Sequence, residues 1–133
     1  MFPETEPVLV VDDMELIRQV VKTELKNMGF KILAEAADGQ EALDIIKAGV
    51  SGKKIQLIIA DWNMPNMDGL QLLKEVRGNP DTENLPYILL TTESEMENVM
   101  EAIRAGVSNY IVKPFEAGTL AEKIRGVYKK HFG

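Results

Sequence analysis

Cysteine is absent from the 133 residues, which excludes a disulfide framework, a thiolate metal site and a cysteine nucleophile. Also missing is any apolar run approaching the ~18 residues of a membrane span. The amino-terminal MFPETEP has neither the basic stretch nor the apolar segment of a secretory signal, so the expected setting is the cytosol. Positive charge is in deficit: 15 Lys and Arg face 21 Asp and Glu, giving a net charge of −6 and a sequence pI near 4.8. Attraction to nucleic acid or to an anionic membrane calls for a basic face, so neither partner is expected. The late cations Lys123, Arg125, Lys129 and Lys130 sit where the end of a last helix favours positive charge. No repeat, low-complexity tract or linker is visible. The length suits one domain with its core spanning residues about 7 to 131, and leaves no room for an output domain.

What is present is an alternation. Apolar runs of strand length occur at VLVV (8–11), KILAEA (31–36), QLIIA (56–60), YILLT (87–91) and YIVK (110–113). Between them apolar residues recur at helical spacing. Leu16, Ile17, Val20, Val21, Leu25 and Met28 mark a first helix, Ala42, Leu43, Ile45 and Ile46 a second, and Leu70, Leu73 and Val76 a third. Met96, Val99, Met100 and Ile103 mark a fourth, and Leu120, Ile124, Val127 and Tyr128 a fifth. Gly29, Gly49, Gly78 and Gly106 fall where helices end. The first, third and fourth runs are apolar on both faces, as expected of parallel strands covered by helices on each side. The pattern predicts an α/β fold, a (βα)5 doubly wound, five-stranded parallel sheet.

Right-handed crossovers bring the carboxyl ends of all strands to one edge, where open α/β sheets bind ligands. That edge holds Asp12 and Asp13 after the first strand, Asp61 after the third, Thr91 and Thr92 after the fourth and Lys113 after the fifth. The opposite edge shows no comparable set. Each residue has an ordinary reading: Asp12 with Glu15 resembles a helix capping box, Thr91 a β-branched strand residue, Lys113 a solvated strand exit. Those readings do not require acid, hydroxyl and cation to converge. If the first and third strands are neighbours, Asp12, Asp13 and Asp61 meet. Like charges about 5 Å apart at an effective dielectric near 20 repel by about 3 kcal/mol. Such a group needs protons or a cation, and hard oxygen ligands without Cys or His point to Mg²⁺. Calcium is disfavoured because the regular EF-hand spacing is absent. A carboxylate so placed can accept a phosphoryl group, with Lys113 as fixed cation and Thr91 as hydroxyl donor.

Taken in order, VLVVDD, DWNMPNMDG, the TTE after the fourth strand and NYIVKPF resemble the response-regulator receiver domains, most nearly their CheY-like chemotaxis branch, over essentially the whole chain. The resemblance implies the flavodoxin-like strand order 2-1-3-4-5. It makes Asp61 the phosphoacceptor, with Mg²⁺ bound by Asp13, Asp61 and the backbone carbonyl of Asn63, and by Asp12 through water. Lys113 would bridge the phosphoryl oxygens, Thr91 would move to meet one of them, and Tyr110 would be the aromatic switch. Lys113-Pro114 would be cis, and Asn63 and Glu93 would tune hydrolysis. The chain would be a cytoplasmic, stand-alone regulator, monomeric and not an enzyme beyond promoting its own phosphorylation and dephosphorylation. Its partners would be a histidine kinase of the chemotaxis (CheA-like) type, a phosphatase, and the flagellar motor switch or another effector. The effector would read the face of the fourth helix, fifth strand and fifth helix.

This sequence departs from the pattern at SEMEN (94–98), acidic where the enteric chemotaxis receiver is lysine-rich, and that places the motor partner and any dedicated phosphatase in question. A receiver serving another phosphorelay or a non-motor partner is the alternative. A flavodoxin-like cofactor binder would need a Ser/Thr/Gly-rich phosphate loop where Asp12-Asp13-Met14-Glu15 stands. An aspartyl phosphatase would need its nucleophile in a D-x-D motif after the first strand, whereas these acids are adjacent. Within DWNMPNMDG, Pro65 is expected to stiffen the loop and Asp68 to cap the following helix.

Overall fold

The computed structural model describes the backbone of residues 1–133 and every side chain except those of Glu93 and Ser94. Strands β1 (Val8–Val11), β2 (Leu33–Ala36), β3 (Leu57–Asp61), β4 (Tyr87–Thr91) and β5 (Asn109–Val112) form one sheet in the order β2-β1-β3-β4-β5, with every pairing parallel. Helices α1 (Glu15–Asn27), α2 (Gly39–Ala48), α3 (Gly69–Arg77), α4 (Val99–Arg104) and α5 (Thr119–Phe132) connect and cover it. A 3₁₀ segment, Glu93–Asn98, precedes α4.

Alternation along the strands divides the interior into two layers. Leu9, Val11, Ile58, Ala60, Tyr87 and Leu89 face one way and pack with Leu72, Leu73 and Val76 of α3 and Ala102 of α4. Val8, Val10, Leu57, Ile59, Ile88, Leu90 and Ile111 face the other way, against Val21 and Leu25 of α1 and Leu120, Ile124 and Val127 of α5. Ahead of β1, the buried Phe2 stacks edge-on against Tyr128 at a centroid separation of 5.1 Å.

Two helices differ from the expectation. The α1 stripe is split: Val21 and Leu25 are buried, while Leu16 is 71% exposed. The fourth helix begins later, because SEMEN winds as the 3₁₀ segment and only six residues are α-helical. Its buried residue is Ala102, whereas Met100 and Ile103, taken as its apolar face, are 52% and 49% exposed. Gly78 is also not a left-handed cap but right-handed, with φ −80°. In the loop before β3, Ser51 and Gly52 both take positive φ and Val50 bridges Lys53, a tight reversal that delivers Ile55 to the core. Among the described residues no helix is long and apolar enough to cross a membrane.

Candidate phosphoacceptor and cation site

Register places the acids. Val11 is paired with Ala60, so one further residue along each parallel strand sets Asp12 beside Asp61. One carboxylate oxygen from each of Asp12, Asp13 and Asp61 lies within 4.8 Å of the others. Asp12 and Asp61 are buried and Asp13 is exposed, which opens the cluster to solvent on one side. Asp61 is the last residue of β3 rather than the first of the loop.

The loop after Asp61 is pinned at both ends. Trp62 donates its amide to Leu90 O at 2.9 Å, and Gly69 donates to Trp62 O at 2.8 Å. Gly69 is a glycine for want of room: a Cβ there would lie 2.3 Å from Asp61 O. The fully buried Tyr87 donates its hydroxyl to Gly69 O at 2.8 Å, tying the same point to β4. Asp68 caps α3 by accepting from Gln71 N at 2.8 Å, while Gln71 Oε1 accepts from Asp68 N at 2.9 Å. That reciprocal capping box supports the expected role of Asp68. Asn66, at φ 65°, donates to Asp38 Oδ2 at 2.7 Å and ties the loop to the start of α2.

Asp12 does not cap α1. The N-cap residue is Met14, whose side chain makes no capping bond. Instead Asp12 Oδ1 accepts from Met14 N at 2.9 Å, and Arg18 Nη1 donates to Asp12 O at 2.6 Å while its Nε pairs with Glu35 at 3.0 Å. The other oxygen, Asp12 Oδ2, is buried with no hydrogen-bond donor among the described residues; Lys113 Nζ stands 4.0 Å from it. Burial drives the Asp12 carboxyl up to about 6, helped by the charges of Asp61 and Asp13 and opposed by the Met14 amide and Lys113.

Lys113 Nζ lies 2.8 Å from Asp61 Oδ1. Burial raises the Asp61 carboxyl above its ordinary value, the Lys113 hydrogen bond and charge oppose that, and the charge of Glu95 adds to the rise. One ammonium facing three carboxylates leaves the edge negative, and an orphaned buried oxygen among hard donors is what a divalent cation would satisfy. The residues present therefore fit Mg²⁺, with Asp12, Asp13 and Asp61 as its acidic ligands and Asn63, two residues on, able to add its carbonyl.

The Lys113-Pro114 peptide is cis. Tyr110 is half-buried against the layer that contains Leu89. Glu93 lies outside the described side chains. Thr91 is fully buried, and its hydroxyl donates to Thr92 O at 3.3 Å and lies 3.4 Å from Glu95 Oε1. Glu95 is the residue sequence reasoning missed. It is 9% exposed, accepts from Thr92 N at 2.8 Å and from Thr92 Oγ1 at 3.1 Å, and receives the Asn63 carboxamide on its second oxygen. The signal was legible as Thr92-x-x-Glu95, a capping-box spacing at a helix start.

Three carboxylates and a lysine meeting at the switch point of a doubly wound sheet define the class: an acidic cluster suited to a divalent cation. Residues 8–125 match the response regulator receiver domain, and the chain belongs to that family. It is 41% identical over 123 residues to the chemotaxis protein CheY-3 of Vibrio cholerae serotype O1, covering 92% of each chain. It is 38% identical to the chemotaxis protein CheY of Pseudomonas aeruginosa, covering 92% of this chain and 96% of that one. Among solved structures, the chemotaxis protein CheY4 of Vibrio cholerae superposes with a TM-score of 0.82 at 36% identity, covering 92% of this chain and 98% of that one. The protein is thus a response regulator receiver of CheY type with an acidic cluster suited to Mg²⁺.

Proposed function

We propose that Asp61 accepts a phosphoryl group from a phosphohistidine of a kinase in a Mg²⁺-dependent reaction, and that the modified chain signals in the cytoplasm by binding another protein. The observation that carries this reading is the 2.8 Å contact of Lys113 Nζ with an Asp61 oxygen inside the three-acid cluster. The free carboxylate oxygen of Asp61 attacks phosphorus, the P–N bond breaks, and its electron pair returns to the imidazole nitrogen, which takes up a proton. Asp61 is held for this by the paired strand at its amino side and the Gly69 and Tyr87 anchors at its carboxyl side. Lys113 balances charge gathering on the phosphoryl oxygens, and Thr91 turns its hydroxyl toward one of them. Mg²⁺ held by Asp12, Asp13, Asp61 and the Asn63 carbonyl would supply the remaining positive charge. Asn63, two residues after the acceptor, and Glu93, two residues after Thr91, tune hydrolysis of the acyl phosphate.

The resemblance to chemotaxis proteins supports a place in chemotaxis, with a chemotaxis-type histidine kinase as donor and the flagellar motor switch as effector. Residues 1–133 act as a single receiver unit with Tyr110 as its switch aromatic, through the face of α4, β5 and α5, where Met100 and Ile103 stand exposed. The acidic 94–98 segment is where a different effector would be selected. Incubation with Mg²⁺ and acetyl phosphate, followed by intact mass, tests the chemistry: one phosphoryl group should be gained. A pull-down with beryllofluoride-loaded against unloaded protein tests the partner, and capture of the same proteins by both would contradict an activated binding surface.

A further inference from the structure

Glu95 draws together a set of donors at the carboxyl edge of the sheet. Its carboxylate collects the Thr92 amide and hydroxyl, stands 3.4 Å from the Thr91 hydroxyl and takes the Asn63 carboxamide. These donors gather at the carboxyl ends of β3 and β4, beside the acceptor. A glutamate in solvent would stay solvated, yet this one is buried at an edge that already carries three carboxylates. Its hydrogen bonds offset that repulsion.

A phosphoryl group on Asp61 adds about −1.5 to −2 charges and three acceptor oxygens. It repels Glu95 and competes for the same donors, so both effects drive the glutamate out. Glu95 belongs to the 3₁₀ segment whose N-cap is Thr92, and the Thr92 amide is its capping contact. Its departure removes that contact from a segment leading directly into α4 and the exposed Met100 and Ile103.

We propose that Glu95 is an internal occupant of the anion-binding donors, a latch that holds Thr91, Thr92 and Asn63 while Asp61 is unmodified and yields them to the arriving phosphoryl group. The latch opposes loading and carries it to α4; this deepens the receiver reading and rests on it. The acidic character of the 94–98 segment then serves the site as well as partner choice.

The test compares wild type, Glu95→Gln and Glu95→Ala. Each is incubated with Mg²⁺ and acetyl phosphate, phosphoryl gain is followed by intact mass, and amide hydrogen exchange of residues 92–104 is recorded before and after loading. Removing the competing charge should speed loading of both variants about tenfold. In wild type exchange should rise only on loading, whereas in Glu95→Ala it should be high beforehand. A purely structural glutamate would give destabilised variants that load no faster, so loading at the wild-type rate or slower in both overturns the latch while leaving the receiver reading intact. No phosphoryl gain in any of the three overturns that reading and the latch with it. Should either variant fail to fold by circular dichroism, Glu95→Asp, which keeps the charge but loses the reach to the donors, should still load faster than wild type; a rate equal to wild type overturns the proposal.

Discussion

The two edges of one sheet solve opposite problems. At the amino edge, polar groups on α3, β4, β5 and α5 meet local partners. Arg77 donates to Gly106 O at 2.9 Å and Leu85 O at 2.7 Å, Tyr87 N donates to Ser108 Oγ at 3.0 Å, and Ser108 Oγ lies 2.7 Å from His131 Nε2. At the carboxyl edge three carboxylates cluster, Lys113 meets two of them, and Asp12 Oδ2 is left without a donor among the described residues. Paired groups hold strands and loops in place; unpaired like charges store an affinity for something absent from the chain. The same backbone carries both because parallel strands send their two ends to separate edges.

The comparison can be broken from either side. The largest effect should come from Lys113→Ala, which leaves the acids unopposed: phosphorylation by acetyl phosphate should slow by about 10²–10³ with circular dichroism unchanged. An undiminished rate would remove the lysine from the chemistry. Next, Mg²⁺ at a hundredfold over its dissociation constant should raise stability by about 2.7 kcal/mol, read as a higher Tm than in EDTA, and Asp13→Asn should abolish most of that gain. Trp62, buried beside the acceptor, should change its fluorescence on the same addition; a silent tryptophan and an unmoved Tm together would place the cation elsewhere.

At the amino edge the expected signs reverse. Arg77→Ala exposes two carbonyls and should cost about 1–2 kcal/mol of stability, without altering the phosphorylation rate of the folded protein. The smallest effects are in pH. Burial, with Arg77 and Lys130 nearby, lowers His131 below its ordinary 6.5, so the unfolded chain takes up a proton first and stability is lost as pH falls through 6.5 toward the folded value. Asp12 acts oppositely: its carboxyl is raised from 3.8 to about 6, so the folded chain keeps a proton the unfolded chain has shed, and metal-free stability falls as pH rises across that window. Denaturant titrations should show His131→Gln removing the first dependence, and Asp12→Asn or added Mg²⁺ removing the second.

The strands were legible because buried parallel strands must be apolar on both faces, and Val8–Val11, Leu57–Asp61 and Tyr87–Thr91 are fully buried. Asp12, Asp13, Asp61 and Lys113 were legible because a strand end fixes where its last side chains go. What spacing cannot show is which way a helix turns. Met100 and Ile103 keep helical period yet face outward, since Ala102 already fills the contact with the sheet. Leu16 on α1 belongs to the same class. Asp12 was open to a capping reading because Asp12-x-x-Glu15 has the spacing, but the chain reaches helical geometry only after Met14. Glu95 escaped because a glutamate near a helix start is ordinarily solvated; only the folded backbone reveals that its carboxylate turns back to the Thr91 and Thr92 donors.

The central claim is that Asp61 receives the phosphoryl group. Intact mass of wild type and Asp61→Asn after incubation with Mg²⁺ and acetyl phosphate tests it most directly: wild type should gain one phosphoryl mass, lost again on alkaline treatment, and Asp61→Asn none. Equal gain by both proteins, or none by the wild type, would contradict it.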